Sequence, residues 1–377
     1  MDMDINCFET PLAVLDIDIL EENIKDMAIV ADTNNVTLRP MVKTHKSPEI
    51  ALKQMEYGSS GITVATLDEA EIMLGAGIKD IFIAYEIIGP ARIKRLLQLA
   101  KNADISVAVD SIEGAVMLEK QLKKEDIVLD YLIEIDSGLN RCGVEPGQPA
   151  LELAEKVDRR CSYLNLKGIF THAGQVYGVS EPAEVEKIGH YEGQVMGETA
   201  ELFRQHNREL DIVSVGSTPT VKYSAANSEV TEIRPGNYVF YDNIQLGLDI
   251  AEISQIAFSI HSTVISRPTS KRAIIDAGSK TLNLDKGAHG TELVKGFGLV
   301  IYNGEVREDL VIDHLSEEHG YITIDDSQGI ELKVGDRLEI IPNHSCAVAN
   351  LFNKLAGIKD GKFEKFINVK ARRQITL

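Results

Sequence analysis

The chain has no apolar run long enough to cross a bilayer, and its opening residues, Met1-Asp2-Met3-Asp4, lack the basic charge of a secretory signal. It is therefore expected in the cytoplasm. Cysteine is scarce: Cys7, Cys142, Cys161 and Cys346 lie far apart with no CxxC pair. A disulfide framework is not expected, and any working cysteine falls to packing or to a metal. Positive charge is short as well, with 39 basic against 58 acidic residues and a net charge of −19. Such a surface repels phosphate backbones and anionic lipid, which argues against nucleic acid and membranes as partners. There is no low-complexity tract, no flexible linker and no GxGxxG. Gly75-Ala76-Gly77 and Gly296-Phe297-Gly298 both lack the third glycine, so a dinucleotide-binding sheet has no motif to support it.

What the 377 residues do contain is a large core and room for a second domain. Short β-rich runs recur at 36–42, 61–65, 80–85, 105–109, 128–135, 166–172, 211–215 and 231–240. Helix-like stretches such as Leu67 to Ala76 and Ala91 to Lys101 separate them. Eight strands alternating with helices predict an α/β fold, a (β/α)8 TIM barrel. Ahead of it, Pro11 to Asp16 reads as a strand and Asp18 as the N-cap of a helix ending near Ala31. After about Asp249 helical periodicity fades. Runs at 255–266, 272–276, 298–302, 321–324 and 337–341 predict a smaller, mostly β domain, with a short helix over Ala347 to Leu355. The expected domains are a barrel over 10–250 and a β domain over 251–377 that includes residues 1–9.

Candidate chemistry gathers at the predicted C-terminal ends of the barrel strands, where this architecture keeps its active sites. The run from Val36 to Val42 ends in Lys43, where a pyridoxal phosphate (PLP) Schiff base would be held. Strand alternation aims its side chain along the barrel mouth, and partial desolvation would lower its amine pKa toward nucleophilic use. Lys46, beyond the turn, is expected to reach solvent. Arg141 follows the fifth strand and His172 closes the sixth. The loops after strands seven and eight, Gly216-Ser217-Thr218-Pro219-Thr220 and Arg234-Pro235-Gly236-Asn237-Tyr238, offer small residues and hydroxyls suited to a phosphate. Far downstream, His344 and Cys346 are spaced i, i+2. On an extended segment that projects imidazole and thiolate to one face, able to share one Zn2+ with positions left open for water or substrate.

The segments RPMVKTHKS, VATLDEAE, AYEIIGPARI, IDSGLNRCGV, THAGQVYG, SVGSTPT, RPGNYVFYD, LSEEHG and PNHSCAVANLF, in this order from about Thr10 to Phe366, resemble the D-serine dehydratase / D-threonine aldolase family. These are fold-type III PLP enzymes, more distantly similar to alanine racemase. The resemblance implies an alanine racemase-like barrel, a C-terminal β domain and a homodimer with composite active sites. It implies Lys43 as the cofactor's anchor, Arg141 near the phenolic oxygen, His172 on the pyridine face and Tyr177 beside the ring. Ser217, Thr218, Gly236 and Asn237 would hold the phosphate, and His344 and Cys346 the metal. Members similar to D-threonine aldolase tend to carry His-x-Asp at the metal, whereas this chain has the His-x-Cys of D-serine dehydratase-like members. Thiolate with imidazole favours Zn2+ over Mn2+ or Mg2+. Met41 departs from the pattern, since many relatives have histidine there.

The expected activity is a PLP- and metal-dependent lyase of D-β-hydroxy amino acids, removing the β-hydroxyl to give a 2-oxo acid and ammonia. Retro-aldol cleavage to glycine and an aldehyde, as in D-threonine aldolase, is the chief alternative. An amino-acid racemase would need a second base and no metal. A non-catalytic PLP carrier would be a lone barrel, without the β domain.

Overall fold

A computed structural model of the chain describes residues 4–287, 293–325 and 331–373. The chain divides into two compact units. One comprises Lys25–Val176, Ala183–Gly236 and the tail from Lys370; the other comprises the segment up to Ile24, Tyr177–Pro182 and Asn237–Val369.

The first unit is built on eight parallel strands: Thr37–Leu38, Ile62–Val64, Asp80–Glu86, Asp104–Val109, Leu129–Ile135, Leu164–Thr171, Ile212–Val215 and Glu232–Ile233. Each falls inside or within two residues of a run read from the sequence. Helices such as Leu67–Gly75, Pro90–Ala100 and Ile112–Glu125 alternate with them, starting where the sequence supplies a cap or a proline. Thr66 accepts the Glu69 N–H, Ser111 accepts the Gly114 N–H, and Pro90 opens its helix at N1. The first and last strands pair with each other, Thr37 with Glu232 and Leu38 with Ile233. The remaining gap closes at Met41, which bridges Thr63, with hydrogen bonds from Val42 N–H to Thr63 C=O (3.0 Å) and from Thr63 N–H to Pro40 C=O (2.8 Å). The sheet is therefore a closed barrel. Its interior is packed, because the rings of Phe82 and Phe170 meet edge to face at 4.9 Å. Their strands stand three apart in sheet order, roughly 14 Å in a flat sheet, so only curvature brings them together. Ala108 and Leu132 fill out the cluster. The buried Arg234 guanidinium lies over both rings and donates to Ser214 Oγ (2.7 Å) and to Thr171 C=O.

The second unit carries a ten-stranded sheet. Its strand Leu12–Asp16 pairs antiparallel with Phe258–Thr269 and parallel with Lys354–Lys359. This corrects the domain reading, which placed residues from 10 onward in the barrel. An apolar run of five residues reads the same in either sheet, and only its partners decide. Asp16, not Asp18, accepts a helix N–H, that of Ile19 (3.0 Å). The helix over Ala347 to Leu355 is shorter and earlier, Ser345–Ala349, and residues from Lys354 turn into a strand that pairs with Lys362–Asn368.

Lys46 also differs from expectation. Its ammonium is half-buried and contacts Glu69 at 2.5 Å, and Glu69 is fully buried, accepting the Ala65 N–H as well (2.7 Å). Removing one partner of such a pair strands the other charge away from water. Lys46→Ala is expected to lower unfolding stability by about 3 kcal/mol, read as a shift in the urea midpoint at unchanged slope. A shift no larger than that of an exposed lysine such as Lys156 would mean that Glu69 needs no cation.

Candidate active site

Pro40 cannot donate to a ladder, so regular pairing ends at Leu38. The chain is caught twice more, by Met41 N–H on Pro235 C=O and Val42 N–H on Thr63 C=O, then turns with Lys46 N–H on Val42 C=O. Lys43 sits in that turn, half-buried, beyond the C-terminal end of the first barrel strand. Because Lys43 stands in a turn beyond the strand, strand alternation does not set the direction of its side chain. Two residues on, His45 is fully buried, with Ser47 N–H donating to Nδ1 (3.1 Å) and Nε2 facing Gln54 Oε1 (3.2 Å). Burial pushes its pKa down to about 3.

His172 leaves the end of strand Leu164–Thr171, and its Nδ1 lies 2.9 Å from Gly216 C=O. The contact assigns the proton to Nδ1. Burial, then the positive charge of Lys43, hold its pKa down to about 3, so the ring is neutral and close enough to Lys43 to feel it. Arg141 and Arg234 act in the same direction. Gly216 has φ +146, and a Cβ there would lie 2.8 Å from Arg234 N. Glycine is thus required twice over, and the bend turns the buried Ser217 and Thr218 into one loop. Gly236 ends the neighbouring loop, where a Cβ would meet Met41 O at 2.9 Å.

Arg141 stands in a loop folded back on its own strand. Asp136 Oδ1 accepts the N–H groups of Gly138 (2.9 Å) and Asn140 (3.0 Å), and Val144 N–H returns to Glu134 C=O (2.9 Å). The guanidinium is half-exposed and lies 3.5 Å from Glu134, a buried carboxyl pushed well up by burial and by a hydrogen bond with Glu86. Glu86, Asp110 and Cys142 place ligand-type atoms within 4.8 Å of one another at the same strand ends. The sequence reading had no signal for this acidic group, because its members sit at or beyond the ends of three different strands. Burial and then Glu86 hold the Cys142 thiol up, away from the thiolate.

Within the β unit, Tyr177 lies half-buried in the 3-10 turn Gly174–Gly178. Asn237 Nδ2 donates to Asp242 Oδ2 (2.7 Å), Ser345 Oγ (3.0 Å) and Cys346 Sγ (3.7 Å). Its amide is thereby committed to the segment carrying the expected metal ligands. Asp242 also accepts the Ser345 N–H (2.9 Å) and hydroxyl (3.2 Å), fixing the start of helix Ser345–Ala349. His344 Nδ1 lies 2.7 Å from Asp285 Oδ2. A histidine held this way keeps Nε2 for a metal, and the carboxylate raises its basicity. Burial works against a charged His344, but Cys346 and Asp285 outweigh it and keep its pKa well above the usual value. Asp285 was missed from the sequence, where a lone aspartate 59 residues away carries no spacing signal.

Two family profiles cover the chain: "Alanine racemase, N-terminal domain" over residues 15–243 and "Putative serine dehydratase domain" over residues 257–358. A D-threo-3-hydroxyaspartate dehydratase of Delftia sp. (strain HT23) is 34% identical over 91% of this chain and 92% of that protein. The chain belongs to the D-serine dehydratase / D-threonine aldolase family. Another member, D-serine dehydratase of Dictyostelium discoideum, is 30% identical over 93% of each chain. The crystal structure of D-threonine aldolase from Filomicrobium marinum superposes with a TM-score of 0.88 at 29% identity, covering 99% of this chain and 98% of that one. Solved variants of D-threo-3-hydroxyaspartate dehydratase include a histidine-to-alanine and a cysteine-to-alanine change two positions apart, the latter in a metal-free form.

The buried His45 makes stability fall with acid. Above pH 6.5 neither state holds the extra proton; below it the unfolded chain takes one up, and the native protein does not until about pH 3. By pH 5 this costs about 2 kcal/mol. His45→Asn is expected to flatten the loss between pH 7.5 and 5 by that amount in urea titrations. An unchanged pH slope would show that His45 protonates in the native state.

Proposed function

We propose that this chain is a PLP- and divalent metal-dependent lyase whose main reaction is β-elimination on D-β-hydroxy amino acids, giving a 2-oxo acid and ammonia. One observation carries the choice of elimination: His344 and Cys346 are paired on a segment anchored by Asp242, with His344 Nδ1 turned to Asp285. That donor set suits Zn2+, and in a dehydratase 32% identical to this chain a cysteine-to-alanine variant was solved in a metal-free form.

The residues fit the cofactor. Buried hydroxyls of Ser217 and Thr218 sit on a glycine bend with no room for a Cβ, and Gly236 leaves the adjoining loop equally bare. These, with the main chain of Asn237, would hold the phosphate. A neutral His172 would pack on the ring without adding charge, Tyr177 would border it, and Arg141, 3.5 Å from Glu134, would stand near the phenolic oxygen. Lys43 is the point of attachment and, once released, the base for the α-proton. PLP supplies an electron sink when bound, and Zn2+ a Lewis acid. Lys43 would take the α-proton and return it to the departing β-hydroxyl, so that one water leaves and an enamine remains. Its hydrolysis consumes one water and yields ammonia and the 2-oxo acid. The substrate is a small D-amino acid, and the working species is a cytoplasmic homodimer.

The similarity to D-threonine aldolase supports a second reading, in which the β-hydroxyl loses its proton and the Cα–Cβ bond breaks. Products separate the two. D-Serine, D-threonine and 3-hydroxy-D-aspartate are expected to give pyruvate, 2-oxobutanoate and oxaloacetate with ammonia, and to stop doing so with a chelator. Glycine with an aldehyde would replace elimination by cleavage. Lys43→Ala is expected to abolish both turnover and the visible absorbance of bound PLP, and retention of that absorbance would move the attachment elsewhere.

A further inference from the structure

Helix Ala183–Gln205 packs unusually close to the segment after the seventh barrel strand. A Cβ on Gly189 would lie 2.7 Å from Tyr223 Cβ and 3.0 Å from Thr220 O, and one on Gly193 would lie 2.8 Å from Ser224 O. Glu192 shares that face, three residues from Gly189. It is fully buried, and both its oxygens are spent on one loop. Gly216 N–H donates to Oε1 (3.0 Å) and the Thr220 hydroxyl to Oε2 (2.7 Å). Thr220 Oγ1 in turn lies 2.9 Å from Ser217 Oγ. The same Gly216 peptide offers its C=O to His172 Nδ1 at 2.9 Å.

We propose that Glu192 is a positioning residue for the cofactor phosphate, holding Gly216–Thr220 in the shape of an anion cup and, through the Gly216 peptide, fixing the His172 ring. The inference rests on the reading that this loop receives the PLP phosphate. A carboxyl beneath an anion is tolerable because it never faces it: Gly216 N–H and the Thr220 hydroxyl stand between, and Arg234 adds positive charge nearby. Burial pushes the carboxyl up, while the Thr220 hydroxyl and the Gly216 N–H that it accepts pull it back down.

Glutamine keeps both anchors, with its carbonyl on Gly216 N–H and its amide on Thr220 Oγ1. Glu192→Ala removes both anchors and leaves a buried N–H and O–H unpaired. The test compares PLP with pyridoxal, which lacks the phosphate, by equilibrium titration of the apo-protein followed in the visible spectrum. Glu192→Ala is expected to weaken PLP about tenfold or more while pyridoxal changes little, and Glu192→Gln to restore PLP to about wild-type affinity. Equal losses for the two ligands, or none, would reduce Glu192 to a packing group. If Glu192→Ala does not fold, Thr220→Val cuts the same hydroxyl link and is expected to show the same PLP-selective loss; equal effects there would likewise overturn the proposal. A wild-type protein that binds PLP no better than pyridoxal would overturn the phosphate reading itself, separately from the variants.

Discussion

The barrel stands on the seam where residues 38–42 are held between two neighbours. Arg39 N–H and Met41 N–H reach the last strand at Ile233 and Pro235, while Pro40 C=O and Val42 N–H hold Thr63 on the other side. A sheet left open there would expose a row of unpaired N–H and C=O groups on both edges. Closure satisfies them, draws Phe82 and Phe170 into contact, and carries Lys43 out of the ladder at the mouth. Arg39 reinforces the seam from its side chain, reaching Glu232 at 2.7 Å and Asp80 at 2.5 Å, so one cation ties the last strand to the third.

Each unit also buries a carboxylate whose oxygens are used up in holding a loop. In the barrel it is Glu192 beneath Gly216–Thr220; in the β unit it is Asp242 beneath Ser345, with Asn237 and Gln245 as further donors. The arrangement is costly for an isolated charge, and becomes tolerable because each carboxylate oxygen accepts an N–H or O–H. Loops with glycine, serine and asparagine have little side-chain packing of their own to hold them. An acceptor fixed in a helix supplies the missing restraint, so the residues that would meet a ligand need not also hold the backbone.

The acid excess of the composition bears on the surface, but part of it works inside. Glu69, Glu134, Glu192, Glu232 and Asp242 are all buried. Glu69 and Glu232 meet Lys46 and Arg39, and Glu134 faces both Arg141 and a second acid, Glu86. Burial, then the hydrogen bond with Glu86, push Glu134 up beside the arginine expected at the cofactor.

Much of this was legible in the residues alone. Hydrophobic periodicity located the eight barrel strands, because a strand buried on both faces is a dense apolar run whatever it pairs with. Glycine, serine and threonine marked the loops, and the ordered motifs marked the family. Sequence could not say that Leu12–Asp16 joins the other sheet, since pairing is a property of partners and not of the run. It could not see that Lys46 is buried against Glu69, that Asp285 orients His344, or that Glu192 lies beneath the Gly216 bend. Those contacts join residues 23, 59 and 24 positions apart. The chain by itself determined which groups carry the chemistry; folding decided which buried carboxylates hold them, because only tertiary packing removes the water that would otherwise satisfy both.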